Sequence, residues 1–396
     1  MPSRQLDFPV FDADNHMYET VDALTRFLPR EYDGVIQYVQ VNGRTKIAVK
    51  GTISKYIPNP TFDVVARPGA QEDHFKFGNP DRKTKRETMG KPIAVLPGFQ
   101  APEPRIKLMD ELGVDRALVF PTLGSLIEER LRDDPPATHA VVHALNQWMH
   151  EHWTYHYEGR IFTVPIIALP ILDEALAELE WVIERGARAI MVRPAPVPGL
   201  RCSRSFALPE FDPFWERVEH AGLLVGLHVS DSGYQRHINE WEGVPGDEFS
   251  PFVEKSGFAT ILAEHRPVVD SLASAIGHGM CSRFPRLKLA PIENGGFWVR
   301  PLLDDMARAY RIAPQAFDED PVEVFKRNVY VQPFHEDDPL ALIDLVGVDN
   351  VIFGSDYPHP EGIADPITYV DGLQELPPDA VAKVMGGNLA RLIDAA

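Results

Sequence analysis

Eight short runs of Val, Ile, Leu and Ala, regularly interrupted by stretches of helical periodicity, limit what this chain can fold into. In order they are Phe8–Asp14, Ala117–Pro121, Phe162–Leu169, Ala187–Arg193, Leu223–Val229, Leu287–Glu293, Asn328–Gln332 and Val351–Asp356. Each is too continuously apolar for a half-exposed strand, so each reads as a strand buried on both faces. Between them, 173–186 (DEALAELEWVIERG) and 211–222 (FDPFWERVEHAG) place apolar residues three and four apart, the second with Gly222 at its C-terminal stop. Strand and helix alternate, which calls for parallel strands joined by right-handed crossovers. Eight such units close most economically into a ring. The predicted fold class is α/β, a (β/α)8 or TIM barrel, as a single domain over residues 1–396.

Two stretches break the rhythm, 18–104 after the first run and 230–266 after the fifth. Both are rich in Gly, Pro and polar residues and read as long inserted loops on the face where strands end, forming a cap or a subunit interface. A separate N-terminal domain is the alternative partition. Within the first stretch, VIQYVQVNGRTKIAVKG sets an Asn-Gly turn between alternating strands, the signature of a hairpin.

A formal net charge of −19 opposes phosphate backbones and anionic headgroups, so neither nucleic acid nor a membrane is expected as partner. A small-molecule substrate is. Cys202 and Cys281 are too few for a disulfide framework or a thiolate zinc site. The chain reaches a strand-like run by Phe8, leaving no space for a signal peptide, and the expected location is cytoplasmic.

Chemistry gathers at the ends of the runs. Asp14 and His16 are two apart and point to one side of an extended strand, with Asp12 on the same parity but deeper. An imidazole beside a carboxylate suits Zn²⁺, Mn²⁺ or Fe²⁺ rather than Mg²⁺ or Ca²⁺, which prefer all-oxygen shells. The fifth run, GLLVGLHVS, ends in His228; the eighth, VIFGSDYPHP, reaches Asp356 after the small residues Gly354 and Ser355. Singly, each has a plain alternative: a capping Asp, a core histidine, a loop turn. Together they fall on strands one, five and eight, whose carboxyl ends converge over a barrel axis. Arg193, ending the fourth run, is placed to clamp a substrate carboxylate or to form a structural ion pair. His278 and His359 are further candidates for substrate binding. Trp148, Trp153, Tyr155 and His156 lie in a helical stretch and read as packing.

These residues resemble the amidohydrolase superfamily, in the branch that includes aminocarboxymuconate semialdehyde decarboxylase, resorcylate-type decarboxylases and related carbon–carbon hydrolases. The resemblance is carried by FDADNH, RIKLMDELGVDRALVFPT, EGRIFTVPIIALP, GLHVS, FPRLKLAPIENGG, VIFGSDYPHPEG and GGNLARLI. It implies metal ligation by Asp14, His16, His228 and Asp356. The fourth run, ARAIMVRP, has no Lys, which implies one metal ion rather than two. Zinc is the expected ion, with manganese or iron as alternatives. Glu293 stands where the decarboxylases carry a His.

The function expected from the resemblance is hydrolysis by a metal-activated water on a small cyclic or aromatic carboxylate, with Asp356, Glu293 and His228 as catalytic residues. Metal-dependent decarboxylation is the alternative, with Asp356 protonating the carbon that loses CO₂, and a non-catalytic binding barrel is the remote third. A homodimer is expected from the same resemblance.

Overall fold

The computed structural model describes residues 6–56, 60, 62–246, 255–262 and 265–395. Its centre is made of six parallel strands: β1 (Phe11–Met17), β2 (Arg116–Pro121), β3 (Ile161–Thr163), β4 (Ala189–Met191), β5 (Leu224–His228) and β6 (Lys288–Ile292). Apart from the first residue of β2 and of β6, every position is buried, as continuous apolar runs require. β1, β2 and β3 pair in that order in one sheet, and β4, β5 and β6 in another.

Helices between the strands turn one face inward. Leu172–Glu184 buries Ala175, Leu179 and Val182, spaced four and three apart. Asp212–Ala221 buries Phe214, Trp215 and Val218 and stops at Gly222, whose φ of 71° glycine adopts without strain. Trp148, Trp153 and Tyr155 are fully buried in the same apolar cluster, as packing residues are, whereas His156 is exposed and, like Tyr155, lies beyond the end of the helix Pro135–Trp153.

The architecture is α/β, but the continuous ladder does not close into the expected ring of eight strands. The seventh and eighth runs contribute single parallel bridges, Leu289 with Val329, Val331 with Val351 and Asn15 with Tyr357, and Ile166 bridges Met191 between the two sheets. Local chemistry explains the shortening. The seventh run starts inside the helix Pro321–Asn328 and meets Pro333, which offers no N–H. The eighth leaves extended geometry at Asp356, where φ is 55°. The third is cut at Pro165, again for want of a donor.

Within 18–104, Ile36–Val41 pairs antiparallel with Arg44–Val49 across Asn42-Gly43, whose φ values of 52° and 74° are those a two-residue hairpin turn demands. The stretch 230–266 carries helices Gln235–Glu242 and Gly257–Leu262, while 247–254 and 263–264 lie outside the described residues. Among the described residues no helix is long and apolar enough to cross a membrane.

Candidate metal centre

Alternation puts Asp14 and His16 on one side at the end of β1, and a register irregularity between Asp12 and Asn15 interrupts the strand's parity at its deeper end. Asp14 and His16 meet side chains from other strand ends. His228 closes β5, Glu293 follows β6 directly, and Asp356 lies in the turn that bridges back to β1. Gly354 permits that approach: a Cβ there would sit 2.7 Å from the Asp14 Cβ.

The donor atoms form a tight cluster. His16 Nε2 lies 3.1 Å from His228 Nε2, 3.4 Å from Asp14 Oδ1, 3.5 Å from Asp356 Oδ1 and 3.8 Å from Glu293 Oε2. His228 Nε2 lies 3.4 Å from Glu293 Oε2 and 3.7 Å from Asp14 Oδ1. Two overlapping ligand sets result, Asp14, His16, His228 and Glu293, and His16, Glu293, Asp356 and His359, each with all donor atoms within 4.8 Å of one another. Bonds of about 2.0–2.2 Å to one ion place neighbouring ligand atoms roughly 3–3.5 Å apart, so these spacings are those of a coordination polyhedron.

Satisfaction of the polar atoms separates a ligand set from a structural network. Neither carboxylate oxygen of Asp14 or Asp356 has a hydrogen-bond donor, and both residues are fully buried. A buried carboxylate left this way costs several kcal/mol unless a cation compensates it. His228 donates its Nδ1–H to the Val229 carbonyl at 2.8 Å, which leaves the Nε2 lone pair facing the cluster. Two imidazole nitrogens 3.1 Å apart on a buried carboxylate's doorstep fit a shared cation. The residues present therefore fit a mixed nitrogen and oxygen shell for one divalent ion.

Electrostatics agree. Burial raises the Asp14 carboxyl, but contacts with His16 and His228 outweigh it and hold the group well below the usual carboxylate range. Burial and then the Asp14 charge drive Asp356 well above that range. The two carboxyls are thus pushed in opposite directions by their surroundings and by each other. Burial, then His359, keeps His16 neutral, the form a metal requires.

Backbone strain falls on the same residues. Glu293 and Asp356 have φ of 58° and 55°, a left-handed conformation unusual for side chains of their kind. The strand-end turns they occupy are held by specific bonds: Gln332 Oε1 accepts from the Glu293 N–H at 2.7 Å, and Asp356 N–H donates to the Asp14 carbonyl at 2.7 Å.

His359 lies against the centre rather than apart from it. Its ring stacks on His16 with centroids 4.0 Å apart, its Nδ1 lies 2.7 Å from Asp356 Oδ1, and its Nε2 lies 3.1 Å from Thr122 Oγ1. The Thr122 hydroxyl donates to the Met17 carbonyl, leaving its oxygen to accept from His359 Nε2–H.

Arg193 is 6% exposed and its Nη1 donates to Glu129 Oε2 at 2.6 Å, an ion pair at the mouth rather than a bond into the cluster. His278 is not brought to the centre. It caps the exposed end of the helix Arg266–Gly277, which precedes β6, and its Nδ1 lies 3.0 Å from Ser274 Oγ. A histidine before a strand sits at the face opposite the one where strands end.

Sequence reasoning missed the supports. Arg105, fully buried, donates to the Asn15 side chain and to the carbonyls of Gly98 and His16, fixing the end of β1. Burial lowers its guanidinium to about 10, still charged at neutral pH. The available signal was its spacing: Arg105 shares a buried helix face with Met109, four residues on.

Comparison with known proteins places this geometry in context. The amidohydrolase family model matches residues 68–394. An amidohydrolase from Mycobacterium avium subsp. paratuberculosis K-10 is 36% identical, with a TM-score of 0.91 and 98% of each chain covered. A 5-carboxyvanillate decarboxylase from Sphingomonas paucimobilis superposes with a TM-score of 0.59 at 17% identity, covering 98% of this chain and 99% of that one. A dihydroxybenzoic acid decarboxylase from Polaromonas sp. JS666, with bound manganese and 2-nitroresorcinol, gives 0.57 at 14% identity, covering 98% and 97%. At such identities the last two speak for the fold alone.

Proposed function

Because the chain belongs to the amidohydrolase family, a metal-dependent family of enzymes, we propose that it is a hydrolase of a small cyclic or aromatic carboxylate, holding one divalent ion at Asp14, His16, His228 and Asp356, which are drawn from two overlapping ligand sets that share His16 and Glu293. The observation that carries this reading is the pair of buried, donorless carboxylates around two imidazoles. The ring order given by the two sheets and the four bridges supports a (β/α)8 arrangement in which these strand ends face one mouth. Zinc is the ion we favour for the mixed shell; manganese, named in the Polaromonas structure, is the first alternative.

A divalent ion bound there supplies Lewis acidity and lowers the pKa of a coordinated water from about 16 toward roughly 7. The protein's own groups do the rest. His228, locked by Val229, keeps its Nε2 turned inward. Asp356 receives a proton on Oδ1 and returns it to a leaving group, an exchange worth about 10²–10⁴-fold in typical enzymes. His359, at 2.7 Å, orients that carboxylate and is itself held through Thr122. Glu293 orients the attacking water, at a position where a carboxylate can accept its second hydrogen.

Decarboxylation is the second reading, favoured by the likeness to 5-carboxyvanillate and dihydroxybenzoic acid decarboxylases. In it, Asp356 delivers its proton to the carbon that loses CO₂. Hydrolysis is preferred because Glu293 replaces an imidazole with a carboxylate. The test is to incubate metal-loaded protein with 2,6-dihydroxybenzoate and 5-carboxyvanillate while following CO₂, in parallel with a panel of aryl esters and lactones followed by acid release. Ester or lactone turnover without CO₂ is the expected result; CO₂ release without hydrolysis reverses the order.

A further inference from the structure

A cleft of about 170 Å³ has a lining that includes Glu129, Arg132, Arg193, Arg236, Pro196 and Ser232. Three guanidinium groups there gather on the Glu129 carboxylate, with Asp231 and Glu128 also acting on Arg193. Arg193 and Arg236 both bond Glu129, on different oxygens, and Arg132 lies 3.9 Å from it. Glu129 is 3% exposed and so is fully committed to this cluster. Arg193 uses only Nη1, toward Glu129 and, at 3.4 Å, the Asp231 carbonyl. Its Nε and Nη2 have no protein partner among the described residues. A fork with one prong tied and the other side open is suited to a second carboxylate.

The register of the parallel sheet fixes where this cleft stands. Ala189, Ile190 and Met191 of β4 lie opposite Leu224, Val225 and Gly226 of β5, and Val192 N–H continues the ladder to the Gly226 carbonyl. Carried two residues on, the same register sets Arg193 beside His228. Neighbours in parallel register send side chains to the same face and are about 5 Å apart. The guanidinium cluster is therefore one strand away from the candidate metal ligands. The loop after β5 closes over it because Gly233, with φ of 79°, has no side chain; a Cβ would meet Glu129 Oε1 at 2.8 Å.

We propose that the Arg132, Arg193 and Arg236 cleft is an anion subsite of the same active site, so that the substrate carries a carboxylate distinct from the group at the metal and about one strand spacing from it. This deepens the reading under "Proposed function" and rests on it. Glu129 holds Arg193 in place through Nη1 alone, and the open edge of that guanidinium selects a substrate with a second carboxylate over one without.

The probes are benzoate and isophthalate, whose second carboxylate sits meta to the first, titrated calorimetrically into metal-loaded full-length protein. Isophthalate is expected to bind roughly ten-fold or more tightly than benzoate, as one charge-assisted bidentate contact allows. Arg193→Gln should bring isophthalate down to the level of benzoate, Arg193→Lys should recover part of the difference, and Arg132→Gln at the rim should lose a few-fold. Equal affinity of wild type for both probes, or unchanged isophthalate binding in Arg193→Gln, overturns the subsite. If Arg193→Gln does not fold, Arg132→Gln decides alone, and wild-type isophthalate affinity there overturns it equally. Failure of the metal reading looks different: chelated wild type would bind both probes as the loaded protein does, while the Arg193 dependence persisted.

Discussion

Asp12 and Asp14 stand two residues apart on β1, and both are completely shielded from solvent. Their surroundings are opposite. Asp12 accepts from Asp14 N–H at 3.1 Å, Asn15 Nδ2 at 2.9 Å, Ser355 N–H at 2.9 Å and the Ser355 hydroxyl. Asp14 accepts from nothing and instead faces two imidazole nitrogens at 3.4 and 3.7 Å. One carboxylate ties β1 to the eighth run and so positions Asp356; the other leaves both oxygens open toward the imidazoles. Burial of the same group thus means structure where its lone pairs are filled and a candidate ligand where they are not.

The sharpest way to break this contrast is to exchange the two outcomes by mutation. Asp14→Asn should abolish stoichiometric metal binding, measured by elemental analysis, and lower turnover by roughly 10³-fold or more, since a Lewis acid supplies several kcal/mol. Retained metal in that variant would remove Asp14 from the ligand set. Asp356→Asn should cost about 10²–10⁴-fold in kcat with a smaller change in KM, the mark of a proton-transfer group. A change confined to KM would make Asp356 a binding residue instead.

Asp12→Asn should do the reverse. Its amide turns a donor toward the Ser355 N–H, leaving buried groups unpaired at about 1–3 kcal/mol, so urea denaturation shifts while metal per folded chain is retained. Full loss of metal with unchanged stability would erase the distinction between the two aspartates.

Glu19 is the intermediate case and gives the smallest effect. Its Oε1 accepts from Leu123 N–H at 2.7 Å, its Oε2 has no donor, and burial raises its carboxyl to about 8. The folded protein then holds a proton that the unfolded chain, near 4.5, has released. Stability from this group falls as pH rises from about 4.5 toward about 8, by linkage. Glu19→Gln should flatten that part of the slope in urea titrations at pH 5.5 and 8. An unchanged slope would assign the pH dependence elsewhere.

Much of the centre could be read before any coordinates. Parity along β1 pairs Asp14 with His16, and the ends of apolar runs mark His228, Glu293, Arg193 and Asp356, each with a plain structural alternative that only their joint placement at strand ends outweighs. The expected hairpin followed from Asn42-Gly43 alone, since few other residue pairs tolerate two left-handed positions. Local chemistry of this sort is written in neighbouring residues.

What the chain order could not say is which strand ends face each other and how far each strand runs. His278 and His359 have similar claims in sequence, yet one caps an exposed helix end and the other stacks on His16. Arg193 was legible as a strand-end cation, but its tie to Glu129 spans 64 residues, and that of Arg105 to Asn15 spans 90. Such contacts depend on register and loop closure, which are set by the packing of the whole sheet. The sequence by itself determined the alternation of strands and helices and the residue types able to hold a metal. Only the tertiary structure decided that Asp12 would be filled with hydrogen bonds and Asp14 left open, because the Ser355 donors that make the difference arrive from 343 residues away.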